Sequence, residues 1–362
     1  MKFTDVTIRE AAQMPGRSYS AEQRVEAALA IDRLEIAQIE TGFPAAGETE
    51  RRVTAELADR LDARTVAIAR AVDFDIEAAL DANADVIEVF APVSDLHLEH
   101  YLDRTRAEIL DAIESGVTTA RDGGAAVRIS ILGAFRTDID HLRTVLERFD
   151  HVARIGLADT VGCRTPQSVR RVLDELAKTT NLERISVHFH NDIGCGTANV
   201  LTAARAGVGN ADVAVGALGE RVGNPALEEI VVASDINHDD DFGVETTRLI
   251  PVAREVMDAL GEEISPQKPV LGMDATRHEA GLHTAAMFEE PGLFEPFDPA
   301  RYGGTRTLVF GERSGRGAAR AILDWVDVDP TDATVAEVLD LFEEYGPLDR
   351  EDAVALVRRK FG

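Results

Sequence analysis

The sequence predicts an α/β chain, a (β/α)8 barrel followed by a small, mostly helical C-terminal subdomain. Three observations carry that expectation. Eight short β-rich runs alternate with helical patterns almost to residue 235. No Gly-rich dinucleotide fingerprint follows the first run, which disfavours the runner-up, a doubly wound sheet. After "VVASDINHDDDFG" the strand rhythm stops. The expected domains are therefore a barrel over 1–262 and a linker with the helical subdomain over 263–362.

In chain order, the predicted strands are "FTDVTI" (3–8), "IAQIETG" (36–42), "TVAIA" (65–69) and "VIEVFA" (86–91). They continue with "AVRISI" (126–131), "VARIGLA" (152–158), "RISVHFH" (184–190) and "ADVAVGA" (211–217). Each is short and rich in β-branched residues. Between them, stretches such as "SAEQRVEAALAIDRL" and "HLRTVLERF" repeat their apolar residues at helical spacing. "TTRLIPVAREVMDALG" reads as a further helix, and "EEISPQKPVLG", with two prolines, reads as a linker. "ATVAEVLDLFEEYG" and "REDAVALVRRKFG" are the closing helices.

Composition narrows the partners. Asp plus Glu total 65 against 38 Lys plus Arg, of which four are lysine, for a net charge of −27. Such a surface repels nucleic acid and anionic membranes, so neither is expected as a partner. An acidic, lysine-poor surface stays hydrated in concentrated salt, which points to a halophilic cytoplasm, with an ordinary acidic enzyme as the alternative. Cys163 and Cys195 are the only cysteines, so no disulfide framework is expected. There is no apolar run of membrane-spanning length, and "MKFTDVTIRE" lacks the apolar stretch of a signal peptide.

In a barrel of this class, reactive groups collect at the C-terminal ends of the strands. Arg9 and Glu10 follow the first strand, Glu40 lies on the second, and Ser94 and His97 follow the fourth. Asp159 and Thr160 follow the sixth, and Asn224 comes after the eighth. "HFHND" puts His188 and His190 on the same face of the seventh strand, with Phe189 on the other. Two neutral imidazoles and a carboxylate suit a divalent ion such as Mn²⁺, Zn²⁺ or Co²⁺. Two neighbouring histidines that hydrogen-bond within a core give the same short motif.

The motifs "TIREAAQMPG", "QIETGFPAA", "LADTVG", "HFHNDIGCGTAN" and "GERVGN" together resemble the metal-dependent acyl-CoA condensing enzymes, the 2-isopropylmalate, homocitrate and citramalate synthases. "HEAGLH" (278–283) and "FEPFDP" (294–299) are similar to that family's segment just beyond the barrel. The likeness is to a short form, without the large regulatory C-terminal domain of many isopropylmalate synthases. It implies that Glu10, His188, His190 and Asn224 hold a divalent metal (Mn, Zn, Co or Mg) and that acetyl-CoA is the co-substrate of a 2-oxo acid. The signature is mixed, because Glu10 is the homocitrate-type choice whereas Asn224 is more typical of isopropylmalate synthases. Arg9 would stabilise the alkoxide that forms at the keto carbon, and Thr160 would bind the substrate carboxylate. Gln13 and Glu40 would order the groups around them, and His97, Arg128 and Ser130 complete the substrate-binding candidates.

The resemblance also implies that His283 takes the proton from the acetyl methyl group, usually from a partner subunit, so a homodimer is expected. Glu279, four residues earlier, would orient that imidazole if the segment is helical. Arg128 faces either a second substrate carboxylate or an acidic neighbour.

Two departures stand out. Leu132 occupies the place of the family's strand-five glutamate, and Phe294 that of its tyrosine. Both remove groups the family uses to move or orient protons. A C–C lyase or aldolase on the same scaffold, or a non-catalytic paralogue, is the alternative reading. With a net charge of −27, the midpoint of thermal unfolding should climb as KCl rises from dilute to molar. Full stability in dilute buffer would speak against the halophile expectation.

Overall fold

The computed structural model describes residues 1–238, 241–279, 286–288 and 290–362. It divides into two compact units, Met1–Glu263 and Ile264–Gly362. In the first unit, eight strands close into a barrel: β1 (Lys2–Asp5), β2 (Gln38–Gly42), β3 (Arg64–Arg70), β4 (Val86–Pro92), β5 (Ala126–Leu132), β6 (Ile155–Asp159), β7 (Ile185–Phe189) and β8 (Asn210–Val213). Each runs parallel to the next, and β8 closes on β1 with Lys2 beside Asn210 and Asp5 beside Val213. Helices such as Ala21–Asp32, Arg106–Asp122 and Gly196–Arg205 return the chain between strands. The fold class expected from the sequence is the one observed.

Because successive side chains on a strand point to opposite faces, each strand sorts its residues by parity. Odd positions face the helices and build the apolar layer. Ala67, Ala69, Ile87 and Val89 are buried there with Ile76, Ala79 and Ala120 of the helices. Even positions face the barrel axis, and many are polar. Thr4 donates to Gln38 at 3.2 Å, Arg128 donates to Thr4 at 2.9 Å, and the Asn210 amide meets both Thr4 and Ser186 at 3.1 Å. Hydrogen bonds satisfy this floor, which burial would otherwise penalise.

Several strands are shorter than their sequence runs. β1 ends at Asp5, although the run continues to Ile8, and Thr7–Ala11 form a short helix. The cause is local. The Asp5 carboxylate accepts the backbone N–H and the hydroxyl of Thr7, each at 2.9 Å, which bends the chain out of the sheet. Arg9 and Glu10 therefore stand on a helical turn, not on extended chain. β8 likewise stops at Val213 and gives way to a turn over Val215–Ala217. β6 begins at Ile155, three residues later than its run.

The second unit is mostly helical, as expected. Helices Arg316–Trp325, Asp332–Tyr345 and Arg350–Phe361 enclose Phe310, Ile322, Leu323, Val335, Val338 and Phe342. A two-stranded parallel sheet pairs β9 (Arg277–His278) with β10 (Thr307–Leu308). Arg350 lies over the Trp325 ring, 3.9 Å from its centroid. Tyr302 is fully buried with Phe297 edge-on to it. Among the described residues, no helix is long and apolar enough to cross a membrane.

Burial pushes the Asp5 carboxyl up to about 7, against the pull of the two Thr7 donors. Between its ordinary value of 3.8 and about 7, the unfolded chain has released a proton that the folded chain keeps. This group thus favours folding fully only below that window and loses the contribution as pH rises through it. Asp5→Asn, which can still accept from Thr7, should flatten that part of the stability profile in denaturant titrations stepped through the same range. An unchanged slope would show that Asp5 does not set it.

Candidate active site and metal centre

Three elements bring the site together. The Asp5–Thr7 turn starts the short helix that projects Arg9 and Glu10 over the barrel mouth. Gln13 follows one turn after Arg9 and accepts from its Nη1 at 3.2 Å. β7 delivers His188, and His190 follows just past the strand's end with the same parity. The loop after β8 is tied to the loop after β7 by the N–H of Asn191, which donates to the Gly223 carbonyl at 2.9 Å.

Glu10, His188 and His190 are all buried and offer ligand atoms within 4.8 Å of one another. His188 Nδ1 meets the Asp212 carboxylate at 3.1 Å, so the Nδ1 proton belongs to that bond. Its Nε2 lone pair then faces the centre, 3.2 Å from His190 Nε2 and 3.5 Å from a Glu10 oxygen. Such a carboxylate–histidine pair fixes the tautomer a metal ligand needs.

The electrostatics separate the two imidazoles. Burial opposes charge on His188, yet the Asp212 hydrogen bond and Glu10 raise its pKa. Burial, and next the charge of His188, push His190 down to about 3. Burial works against ionising Glu10, but Arg9 and then both imidazoles hold its carboxyl down to about 2. The centre thus presents a carboxylate beside an imidazole that stays neutral.

Charge balance supplies a further test. Four buried carboxylates, those of Glu10, Glu40, Glu88 and Asp212, surround two guanidiniums, Arg9 and Arg128. Burial, against the pull of Arg128, raises the Glu88 carboxyl to about 7, and the other three acids still outnumber the two guanidiniums. Glu10 Oε2, His190 Nδ1 and both polar atoms of the Asn224 side chain are buried without a hydrogen-bond partner. The donor set, one carboxylate and two imidazoles, fits a divalent first-row ion.

Beside this trio opens a cavity of about 220 Å³. Arg9, Glu10, Gln13, Ser130, Thr160, His188 and His190, all singled out in the sequence, line it together with Ile68, Glu88, Phe90, Leu132 and Ala158. Thr160 Oγ accepts the N–H of Gly133 at 2.9 Å, which leaves its hydroxyl proton to donate elsewhere. Glu40 lies underneath, fully buried, and accepts from Arg9 Nε and, at 3.0 Å, from Arg128 Nη2.

Other candidates sit differently. Arg128 is buried below the cavity and does not line it; it pairs with Glu88 and Glu40, the acidic-neighbour alternative. His97 bonds to the Ser94 hydroxyl at 2.6 Å beside Gly133 and is likewise not among the lining residues. Burial, then Arg136, lowers its pKa. Asn224 is fully buried after β8, its amide oxygen packed against Gly219, where a Cβ would collide. In the second unit, Glu279 follows β9 and accepts the N–H of Arg313 at 3.4 Å. His283, the expected base, lies outside the described residues.

Two site residues escaped the sequence reading. Asp212 orients His188, and "NADV" gave a signal, because Asn210 and Asp212 share the inward parity of β8. Glu88 stands alone as an acid in "VIEVFAP", a strand otherwise apolar.

A closed parallel barrel with a carboxylate–histidine centre at the C-terminal ends of its strands defines the class, a metal-site (β/α)8 barrel. The chain belongs to the HMGL-like family, whose profile matches residues 1–256. Residues 270–348 match the homocitrate synthase post-HMGL domain-like family. Homocitrate synthase AksA of Methanopyrus kandleri is 37% identical, across 94% of this chain and 87% of its own. A probable 2-isopropylmalate synthase of the same organism is 35% identical over 96% and 70%. The (R)-citramalate synthase CimA of Methanocaldococcus jannaschii is 31% identical over 100% and 75%. Among solved structures, the HMG-CoA lyase of Bacillus subtilis shares the barrel fold, with a TM-score of 0.64 at 21% identity over 73% of this chain and 94% of that one.

Glu10→Ala or His190→Ala should abolish tight Mn²⁺ binding measured by calorimetry. Asp212→Asn should weaken it by about 10–100-fold, the usual cost of losing a group that orients a ligand. Undiminished Mn²⁺ affinity in all three variants would place the metal elsewhere.

Proposed function

We propose that this protein condenses acetyl-CoA with a 2-oxo acid, in the manner of the synthases whose names its relatives carry. The observation that carries the reading is Arg9 set against Glu10 beside two facing imidazoles at one cavity. A divalent metal held by Glu10, His188, His190 and Asn224 would polarise the keto group of the 2-oxo acid.

The chain's own residues do the rest. Glu40 accepts from Arg9 Nε and fixes the guanidinium plane, so that its remaining donors meet the keto oxygen as negative charge builds there. Gln13 steadies the same guanidinium from the other side. Thr160, with its oxygen engaged by Gly133, donates its hydroxyl to the substrate carboxylate, and Ser130 lies on the same wall. His283, oriented by Glu279, removes a proton from the acetyl methyl group. The resulting carbanion attacks the keto carbon, and hydrolysis of the thioester then releases the CoA thiol. Because the resembled synthases usually take this base from the partner subunit, the proposal includes a homodimer. Cys163 and Cys195 are both free, which suits a reducing compartment, and we assign the reaction to the cytoplasm.

Thiol release from acetyl-CoA should require both a 2-oxo acid and a divalent metal, and a chelator should abolish it reversibly. Arg9→Lys keeps a charge but loses the planar fork, and should lower kcat by about 10²–10³-fold. Cleavage of a 3-hydroxy-acyl-CoA with no 2-oxo acid-dependent thiol release would replace the synthase reading with a lyase.

A further inference from the structure

We propose that the 2-oxo acid taken by this site carries an apolar side chain, and that the wall built by Ile68, Phe90, Leu132 and Ala158 over Glu88 excludes a second carboxylate. The inference rests on the synthase reading for the place of the substrate, and on the cavity for its chemistry. Relatives named for three different products leave that choice open.

The cavity has two chemically distinct sides. Arg9, Glu10, His188, His190 and Thr160 gather where the keto acid head would bind. Ile68, Phe90, Leu132 and Ala158 are its apolar lining, and Gln13, Glu88, Ser130 and Glu220 are the other polar residues. They come from β3, β4, β5 and β6, adjacent strands, at inward positions. Four neighbouring strands thus present hydrocarbon next to the polar head site, and an aliphatic side chain placed there loses water without losing hydrogen bonds. Leu132, which stands where the resembled synthases have a glutamate, is part of this wall.

Nothing cationic answers a second carboxylate on that side. Arg9 is the one guanidinium among the described residues lining the cavity, and Glu10 and Glu40 both hold it. Arg128, the residue that could have met a distal carboxylate, is spent below. It is ion-paired with Glu88, bonds Glu40 at 3.0 Å, and donates to Thr4 at 2.9 Å and Gln38 at 3.3 Å. What reaches the cavity from this cluster is Glu88, an acid and not a cation. A second substrate carboxylate would meet an acid and hydrocarbon, with no cation to compensate its lost water; the uncharged donors within reach are the side chains of Ser130 and Gln13.

Selectivity of this kind is readable in kcat/KM with the metal-loaded protein, comparing 3-methyl-2-oxobutanoate, 2-oxobutanoate and pyruvate with 2-oxoglutarate. We expect the best aliphatic acid to exceed 2-oxoglutarate by about 100-fold or more, the scale on which a buried charge without a partner is rejected. Leu132→Ala should lower kcat/KM for the branched acid about tenfold more than for pyruvate, whose methyl group covers less of an apolar wall. Glu88→Gln should raise 2-oxoglutarate selectively by about tenfold, because it replaces the acid on this side of the cavity with an uncharged amide. Calorimetric titration of each acid into the Mn²⁺-loaded protein, without acetyl-CoA, separates the two propositions. Aliphatic preference in binding without thiol release from any acid would sink the synthase reading and keep the side-chain inference. Equal or better binding of 2-oxoglutarate would overturn the inference whether or not thiol is released. Binding of no 2-oxo acid at all would overturn both.

Discussion

Two guanidiniums inside a barrel hold the whole site in place. Arg9 and Arg128 both bond Glu40, and through it they link the mouth of the barrel to its floor. A carboxylate with no exposure to water is tolerable only when cations and donors surround it closely. Glu40 meets that condition from two sides, and the placement of Arg9 follows. Arg128 in turn requires Glu88, Thr4 and Gln38, so residues of β1, β2, β4 and β5 are fixed by one charge. Removing either arginine would leave a buried acid uncompensated, at a cost larger than most single hydrogen bonds.

This arrangement transfers the work of stability to the outer layer. An interior of paired charges contributes little net folding energy, because desolvation offsets most of the Coulombic gain. The apolar burial comes instead from odd strand positions against the helices, as in the packing of Ala67, Ile87 and Val89 on Ile76 and Ala120. The second unit has its own core around Phe310, Ile322 and Phe342.

Much of this was legible in the sequence, for physical reasons that differ by residue. The barrel showed because eight strands of Val, Ile and Ala between amphipathic helices leave a strong periodic trace. The histidine pair showed because two imidazoles at the same parity of a buried strand have few other uses. Strand ends were less legible. The Asp5–Thr7 turn that ends β1 depends on side-chain hydrogen bonds, which propensity does not reveal. Arg128 was ambiguous because its partners are 40 or more positions away in the chain, and only barrel closure brings Glu40 and Glu88 against it. Asp212 was overlooked for a similar reason, since its meaning comes from lying beside His188 on the next strand.

The parity rule also bears on how such a chain can change over generations. Every strand residue that lines the cavity is even-numbered, while the odd ones face the helices. Selection on chemistry and selection on folding therefore act on interleaved but separate sets of positions. Neutral drift can exchange Val, Ile and Ala along the outer set without altering reactivity, and new specificities can be sampled on the inner set without dismantling the scaffold. An insertion of one residue within a strand is a different matter. It would exchange the two sets from that point onward, so divergence in this lineage should run through point substitutions and loop length, with strand lengths held nearly constant.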